Sequence, residues 1–244
     1  MTGAMNAYWL EQTAADVPAS NYWLSARETS RLASLRFAKR RADWRLGRWT
    51  AKRALASCLH LSDDLHSLRE IEIHAAPSGA PEVFLFNQRA AVSLSLSHRA
   101  GRAFCVIAFS AASLGCDLEL VEARDNSFVA DFFTGNERKL MDNALPDERS
   151  LLATLLWSAK ESALKAMRVG LRLDTMLLDV SPTFAPPPPT EVSRLNICTG
   201  WSPLFVRYTD TQILHGWWQC ANGMVRTVVF NRLRQGTELS KLRS

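Results

Sequence analysis

Residues 147–167 read DERSLLATLLWSAKESALKAM and carry the strongest helical pattern of the chain. Apolar residues recur there at three- and four-residue spacings, which predicts one long helix with Gly170 as its stop signal. The apolar stripe of this helix consists of Leu152, Leu155, Leu156, Ala159, Ala163 and Ala166. Glu161 lies on roughly the opposite side, yet Trp157 and Leu164 flank it there. Apolar bulk beside a carboxylate indicates that this face lines a cleft.

A strand with two acidic residues precedes this helix. Residues 114–121 read LGCDLELV, and the side chains of a strand point alternately to its two faces. Asp117 and Glu119 therefore share one face. Together with Glu161 they offer three carboxylates without an added histidine or thiolate, a set that suits a hard ion such as Mg²⁺ and implies a phosphorylated substrate. Two simpler explanations stay open: the wet side of an edge strand, and an ordinary helix pair of Glu161 with Lys165.

The rest of the chain is predicted to alternate between helices and strands. Residues 25–59 predict two helices, and helical structure also begins at residue 125. Strands are expected at residues 71–74, 83–86, 92–97, 103–109, 204–206, 213–220 and 225–230, with 103–109 central in its sheet and the last three forming an antiparallel meander. Four prolines at 186–189 predict an exposed connection, and the polar residues 237–244 are expected to be loose.

This order of elements predicts an α+β protein of two similar halves, residues 1–112 and 113–244. Each half is expected to contain a small antiparallel sheet packed on a long helix. No sequence repeat is strong enough to prove a duplication.

The composition is typical of a globular protein. The chain has 244 residues, of which 47% are hydrophobic and 22% charged. No apolar run approaches the length of a membrane span, and no export signal is evident at the start, so a cytoplasmic protein is expected. The five cysteines form no C-x-x-C pair and are interpreted as buried thiols in a reducing compartment: Cys58, Cys105, Cys116, Cys198 and Cys220.

The net charge of +5 is concentrated in one segment. Between residues 27 and 53 lie Arg27, Arg31, Arg36, Lys39, Arg40, Arg41, Arg45, Arg48, Lys52 and Arg53, opposed only by Glu28 and Asp43. This basic cluster would attract a phosphate-rich small molecule, an acidic protein or a nucleic acid, and charge alone does not choose among them. A solvated helix face is the simpler explanation.

A histidine at a turn is a second candidate for phosphate binding. His98 follows a predicted strand, precedes a glycine turn and has Ser95, Ser97 and Arg99 as neighbours. Such a histidine can donate hydrogen bonds to a diphosphate, although a lone histidine at a turn is more often structural.

Several segments resemble motifs of the phosphopantetheinyl transferases. Residues 157–165, WSAKESALK, resemble their W-S/T-x-K-E-A/S-x-x-K signature, and residues 114–119, LGCDLE, resemble their G-x-D-x-E strand. Weaker similarities are SLSH at 95–98, the basic helix RRADWRLGR at 40–48, and the aromatic pair at 217–218. Length and motif order are similar to the surfactin-synthetase-activating (Sfp) type, which is a monomer of two pseudo-symmetric halves.

The resemblance implies an enzyme that moves the phosphopantetheine arm of coenzyme A to a serine of an apo acyl or peptidyl carrier protein. This is holo-[acyl-carrier-protein] synthase activity, and it releases adenosine 3',5'-bisphosphate. Asp117, Glu119 and Glu161 would hold Mg²⁺. Glu137 would be the base, directly or through a water, while Lys160 and Lys165 would steady phosphate charge or, if desolvated, accept the proton.

The resemblance also implies a set of residues that contact coenzyme A: Arg40, Arg41, Arg48, Gly79, Ser97, His98, Lys160 and Lys165. Some family members carry a lysine for the 3'-phosphate where this chain has Ala80, so Arg40, Arg41 or Arg48 would carry more of that contact. Neither a nucleic acid nor a membrane is an expected partner.

Two rival functions use the same residues. A magnesium-dependent hydrolase of coenzyme A or a related diphosphate would have water as its nucleophile, and only a transferase leaves the arm on a protein. A nucleic-acid-binding protein would use the basic cluster, but that cluster does not continue as a stripe with interleaved aromatics.

Overall fold

The computed structural model describes residues 6–109, 113–184, 200–209, 211–231 and 237–242. The chain divides into two compact units: unit 1 comprises residues 1–112 and 234–244, and unit 2 comprises residues 113–233. The α+β class predicted from the sequence is confirmed, since both units contain strands and helices.

The described helices are α1 (Ala26–Ser34), α2 (Ala38–Leu59), α3 (Asn126–Phe132), α4 (Gly135–Asp142) and α5 (Arg149–Met167). The strands of the first half of the chain are β1 (Asn6–Thr13), β2 (Ile71–Ala75), β3 (Pro81–Leu85), β4 (Gln88–Arg89), β5 (Ser93–Arg99) and β6 (Arg102–Ala108). Those that follow are β7 (Leu114–Leu120), β8 (Asp179–Pro182), β9 (Ser202–Arg207), β10 (Ile213–Ala221), β11 (Met224–Phe230) and β12 (Glu238–Lys241).

Unit 1 packs the long helix α2 against a four-stranded sheet of order β12-β1-β6-β5. Two helices between residues 25 and 59, the β2–β3 hairpin and the central place of β6 all confirm the predictions. Helix α1 starts at a capping box in which Ser25 and Glu28 satisfy each other's backbone amides.

Three described strands of unit 1 were not predicted: β1, the two-residue β4 and β12. β1 fills the sheet between β6 and β12, and β12 pairs in parallel with it from Asn6↔Glu238 to Trp9↔Lys241. The expectation of a loose C-terminus is therefore wrong for residues 238–241. The polar side chains do not prevent ladder hydrogen bonds, which need only the backbone, and the Lys241 ammonium lies 5.2 Å from the centre of the Trp9 ring. The C-terminal segment consequently belongs to unit 1 and not to the second half.

Unit 2 packs α5 against a five-stranded sheet of order β7-β11-β10-β9-β8. The antiparallel meander β9-β10-β11 confirms the prediction. Helix α5 ends at Met167 as predicted, but Arg168 and not a glycine takes the left-handed cap, and Gly170 opens a 3-10 turn. The proline run at 186–189 lies outside the described residues.

Two expectations from composition can be compared with the structure. Cys105, Cys116 and Cys220 are buried as expected, whereas Cys58 is half-buried. Across the described ranges, no helix combines the length and the apolar character needed to cross a membrane.

Strand β7 and helix α5 approach each other most closely at Gly115. A Cβ atom built there would lie 2.0 Å from the Ser162 carbonyl oxygen and 2.6 Å from the Ala166 amide nitrogen. These are backbone atoms in the middle of a packed helix, so they cannot move aside cheaply. Glycine is therefore required for this approach, which also brings Asp117, on the same face of β7, against α5.

We expect Gly115→Ala to lower the free energy of unfolding by about 3 kcal/mol, because the added methyl group forces the strand and the helix apart. The matched control is Gly47→Ala in α2, where a Cβ meets nothing within 4 Å. This control should stabilise the chain by roughly 0.5–1 kcal/mol through helix propensity. Urea unfolding measures both, and a Gly115→Ala variant as stable as the control would contradict the close contact.

Candidate active site

The structure brings two of the three predicted metal ligands together in unit 2. Asp117 on β7 and Glu161 on α5 lie close enough for the negative charge of Asp117 to act on Glu161. Glu119, two residues further along β7, is directed towards Arg124, with 3.9 Å between carboxylate and guanidinium. Gly115 and Asp117 lie on one face of β7, and both contact α5.

Asp117 is almost fully buried, and donors from α5 hold both of its carboxylate oxygens. The Lys165 ammonium donates to Oδ1 at 2.8 Å and to the Cys116 carbonyl at 2.9 Å. The Ser158 hydroxyl donates to Oδ2 at 2.9 Å. A buried carboxylate needs such partners to offset the loss of hydration, so Asp117 is fixed in place.

Sequence reasoning missed the hydroxyl groups that support Asp117. Ser158 and Ser162, one turn apart on α5, both hydrogen-bond the Thr227 hydroxyl of β11, at 2.9 and 2.7 Å. Thr227 is the residue paired with Asp117 in the sheet register. The signal available in the sequence was the i,i+4 spacing of two serines on an otherwise apolar helix face.

The charges around Glu161 oppose one another. Burial raises the pKa of Glu161, the negative charge of Asp117 raises it further, and Lys165 lowers it. Burial lowers the pKa of Lys165, but Asp117 and other negative groups outweigh that effect and raise its pKa overall. Lys165 is therefore a permanent cation beside two carboxylates that repel each other.

This environment fits a divalent cation in part. Among the described residues, no three His, Cys, Asp or Glu side chains gather as a ready-made metal cluster. Mg²⁺, however, is commonly held by one or two carboxylates, with waters and substrate phosphates completing its shell. The neighbouring Asp117 and Glu161 supply that number of hard oxygen ligands, and a cation would relieve the repulsion that raises the pKa of Glu161.

Glu137 and Lys160, predicted to act in catalysis, are enclosed within unit 2. The Lys160 ammonium lies 2.8 Å from the Glu137 carboxylate, and both side chains have no exposed surface. Lys160 also donates to the carbonyls of Phe132 at 2.7 Å and Thr175 at 2.9 Å. All three ammonium donors are thus used internally, so contact with a substrate would require this arrangement to open. Their catalytic roles stay a prediction.

Burial acts on this pair in opposite directions. It raises the pKa of Glu137 and lowers the pKa of Lys160, while each charge counteracts the effect on the other. The pair is stable as an ion pair because both charges are buried together with hydrogen-bonding partners.

The residues predicted to bind coenzyme A in unit 1 differ in accessibility. Arg40 and Arg41 are exposed on the first turn of α2, and His98 is 54% exposed with its Nε2 3.9 Å from Asp43. Ser97 is buried, and Gly79 occupies the exposed β2–β3 turn with φ +86°.

Arg48 is largely enclosed in unit 1. Its guanidinium lies 5.0 Å from the Trp44 ring centre, and its Nε lies 3.9 Å from Glu28. Burial lowers the pKa of Arg48, and Glu28 opposes that effect. Arg48 is therefore less available to a phosphate than Arg40 and Arg41.

A family comparison covers the part of the chain that carries these acids. Residues 113–213 match the 4'-phosphopantetheinyl transferase superfamily. The matched region includes β7, α4 and the whole of α5, and with them Asp117, Glu119 and Glu161. Over this segment the chain is similar to that superfamily. No curated protein matches the chain significantly.

We expect Lys165→Met to destabilise unit 2 by roughly 2–3 kcal/mol, because it leaves the buried Asp117 carboxylate without its cation. The cost stays below that of a fully enclosed pair, since the Lys165 side chain is 30% exposed. Urea unfolding in EDTA measures the change. Lys139→Met, an exposed lysine of α4, is the control and should change stability by less than about 0.5 kcal/mol. Equal midpoints for the two variants would contradict the ion pair.

Proposed function

We propose that this protein is a phosphopantetheinyl transferase of the Sfp type, which loads apo acyl or peptidyl carrier proteins from coenzyme A. The observation that carries the proposal is the placement of Asp117, Glu161 and Lys165 on adjoining faces of β7 and α5, inside the region that matches the superfamily. Two carboxylates with a fixed cation beside them suit a reaction on a diphosphate.

We propose Asp117, Glu119 and Glu161 as the residues that hold Mg²⁺. A bound ion would neutralise the charge of the diphosphate and of the leaving group. Asp117 and Glu161 are already neighbours in the structure, whereas Glu119 lies towards Arg124.

Lys165 has a separate role in this proposal. Its raised pKa keeps the ammonium charged, so it serves as a phosphate contact and not as a base. In the reaction, the carrier serine oxygen forms a bond to the phosphorus nearer the pantetheine, and its proton passes to solvent water. The bond from that phosphorus to the bridging oxygen breaks, which releases adenosine 3',5'-bisphosphate.

Arg40, Arg41 and His98 are the residues of unit 1 that we propose for coenzyme A, because their side chains are exposed. Arg48, Gly79 and Ser97 belong to the same proposed set, with Arg48 less accessible. The natural carrier is unassigned, and we propose that the enzyme acts on it as a monomer in the cytoplasm. Exposed basic residues would favour an acidic carrier surface.

The nucleic-acid alternative loses support from the basic cluster itself. Arg45 donates to the Pro18 and Ala19 carbonyls, Lys52 is fully buried, and Arg53 pairs with Asp63. These three cations are engaged within unit 1, so the exposed basic residues from Arg27 to Arg41 are what remains for a polyanion.

The test is to incubate the protein with coenzyme A, Mg²⁺ and a panel of apo carrier proteins, and to record intact carrier masses. We expect one phosphopantetheine on at least one carrier, and a loading rate at least about 100-fold lower for Glu161→Gln. Asp142→Asn, an exposed carboxylate of unit 2, is the control and should load at the wild-type rate.

The other outcomes of this experiment would favour one of the alternative functions. Cleavage of coenzyme A without a mass change on any carrier would favour the hydrolase. If neither molecule changes, the transferase proposal fails, and binding of a polyanion without Mg²⁺ becomes the next measurement.

A further inference from the structure

The buried pair of unit 2 belongs to a larger network, which we call the Glu137 network. Glu137 closes the capping box of α4 with Thr134, and its Oε1 accepts the Val180 amide of β8 at 2.9 Å. Lys160 of α5 binds this carboxylate together with the carbonyls of Phe132 and Thr175. One carboxylate thus joins a helix start, a strand and the long helix.

Unit 1 contains a second network of the same design, the Glu28 network. Glu28 closes the capping box of α1 with Ser25, and its Oε1 accepts the Ile73 amide of β2 at 3.4 Å. Lys52 of α2 binds this carboxylate and donates to the carbonyls of Trp23 at 2.9 Å and Leu68 at 3.0 Å. Lys52 and Lys160 are both completely buried.

The two networks also agree in sequence spacing. The lysine and its first carbonyl lie 29 residues apart in unit 1 and 28 in unit 2, and the lysine and its second carbonyl lie 16 and 15 apart. The carboxylate and the strand amide are separated by 45 and 43 residues. Both long helices also end in a left-handed residue, His60 and Arg168. Three matched contacts at matched spacings are difficult to obtain by chance.

The two long helices differ at the positions that carry the candidate site in unit 2. The residue directly after the buried lysine is Arg53 in unit 1 and Glu161 in unit 2. Five positions after that lysine, unit 1 has Ser57 and unit 2 has Lys165. Unit 1 thus retains the buried network on a helix that lacks the acid and the cation of the candidate site. The network is therefore not tied to the presence of those reacting groups.

We propose that the Glu28 and Glu137 networks have the same structural task, one in each unit, and that Glu137 and Lys160 are positioning residues. They hold α5 against the start of α4 and against β8, so that Glu161 and Lys165 are presented correctly. Glu137 is then not the base that takes the serine proton. This inference rests on the proposed function only for its activity measurement.

The test compares full-length variants in thermal stability and in carrier loading. Glu137→Gln and Glu28→Gln each leave a buried lysine without its counter-charge, and each should lower the Tm by about 10 °C. The control is Asp16→Asn, which alters an exposed capping box that has no lysine partner, and its Tm should stay within about 2 °C of wild type.

Activity separates a positioning residue from a base. Below the Tm of both proteins, Glu137→Gln should load carrier within about tenfold of the wild-type kcat, whereas loss of a general base costs roughly 100-fold or more. The double variant Glu137→Gln with Lys160→Gln keeps amide donors and acceptors but removes both charges. It should recover part of the lost Tm and remain active.

Three results would overturn the inference: a Glu137→Gln variant with wild-type Tm and a kcat at least 100-fold lower, a Glu28→Gln variant with unchanged Tm, or a folded double variant without activity. If a single variant does not fold, the double variant carries the test. A wild-type protein that loads no carrier would contradict the proposed function. The comparison of Tm values between the variants would still test whether the two networks are equivalent.

Discussion

The candidate site depends on the contact between β7 and α5 at Gly115. The strand passes so close to the helix backbone that a single methyl group would collide with Ser162 and Ala166. This closeness lets Lys165 and Ser158 hold Asp117 from the helix, and it puts the charge of Asp117 beside Glu161. A larger residue at position 115 would separate the acids on the strand from those on the helix, whatever the rest of the fold did.

Buried charge in this chain serves two different purposes. Lys52 and Lys160 have no exposed surface and are saturated by one carboxylate and two carbonyls each, an arrangement that stabilises the junction of several elements. Lys165 also pairs with a buried carboxylate, but its side chain is partly exposed and Glu161 lies nearby. Of these two arrangements, only the second leaves part of the lysine side chain exposed. Charged residues on one helix can therefore differ in role according to the side they face.

Much of the fold could be predicted from the sequence because its elements have clear periodicity. The two helices between residues 25 and 59, the hairpin, the acidic strand and the C-terminal meander all follow from apolar spacing and turn residues. β12 could not be predicted in this way, since its polar residues pair with β1 through the backbone over a long sequence separation. The end of α5 at Met167 was predicted, but its left-handed cap was not, because Arg168 and not a glycine adopts that conformation.

The candidate site was predictable in its residue types but not in its contacts. The spacing of Asp117 and Glu119 gives their common face, and it cannot reveal that Glu119 lies towards Arg124. Nor does the sequence show that Lys160 points to Glu137 while Lys165, one turn and a half along the same helix, points to Asp117. Such choices depend on partners that are distant in the chain, and the same holds for Arg48 and Lys52 within the basic cluster.

The most direct measurement is the anomalous diffraction of crystals grown with coenzyme A and Mn²⁺ in place of Mg²⁺. The account predicts a metal peak at about 2 Å from carboxylate oxygens of both Asp117 and Glu161, with the diphosphate completing the shell. A peak bound to neither residue, or coenzyme A bound in the presence of Mn²⁺ without any metal at these carboxylates, would contradict it.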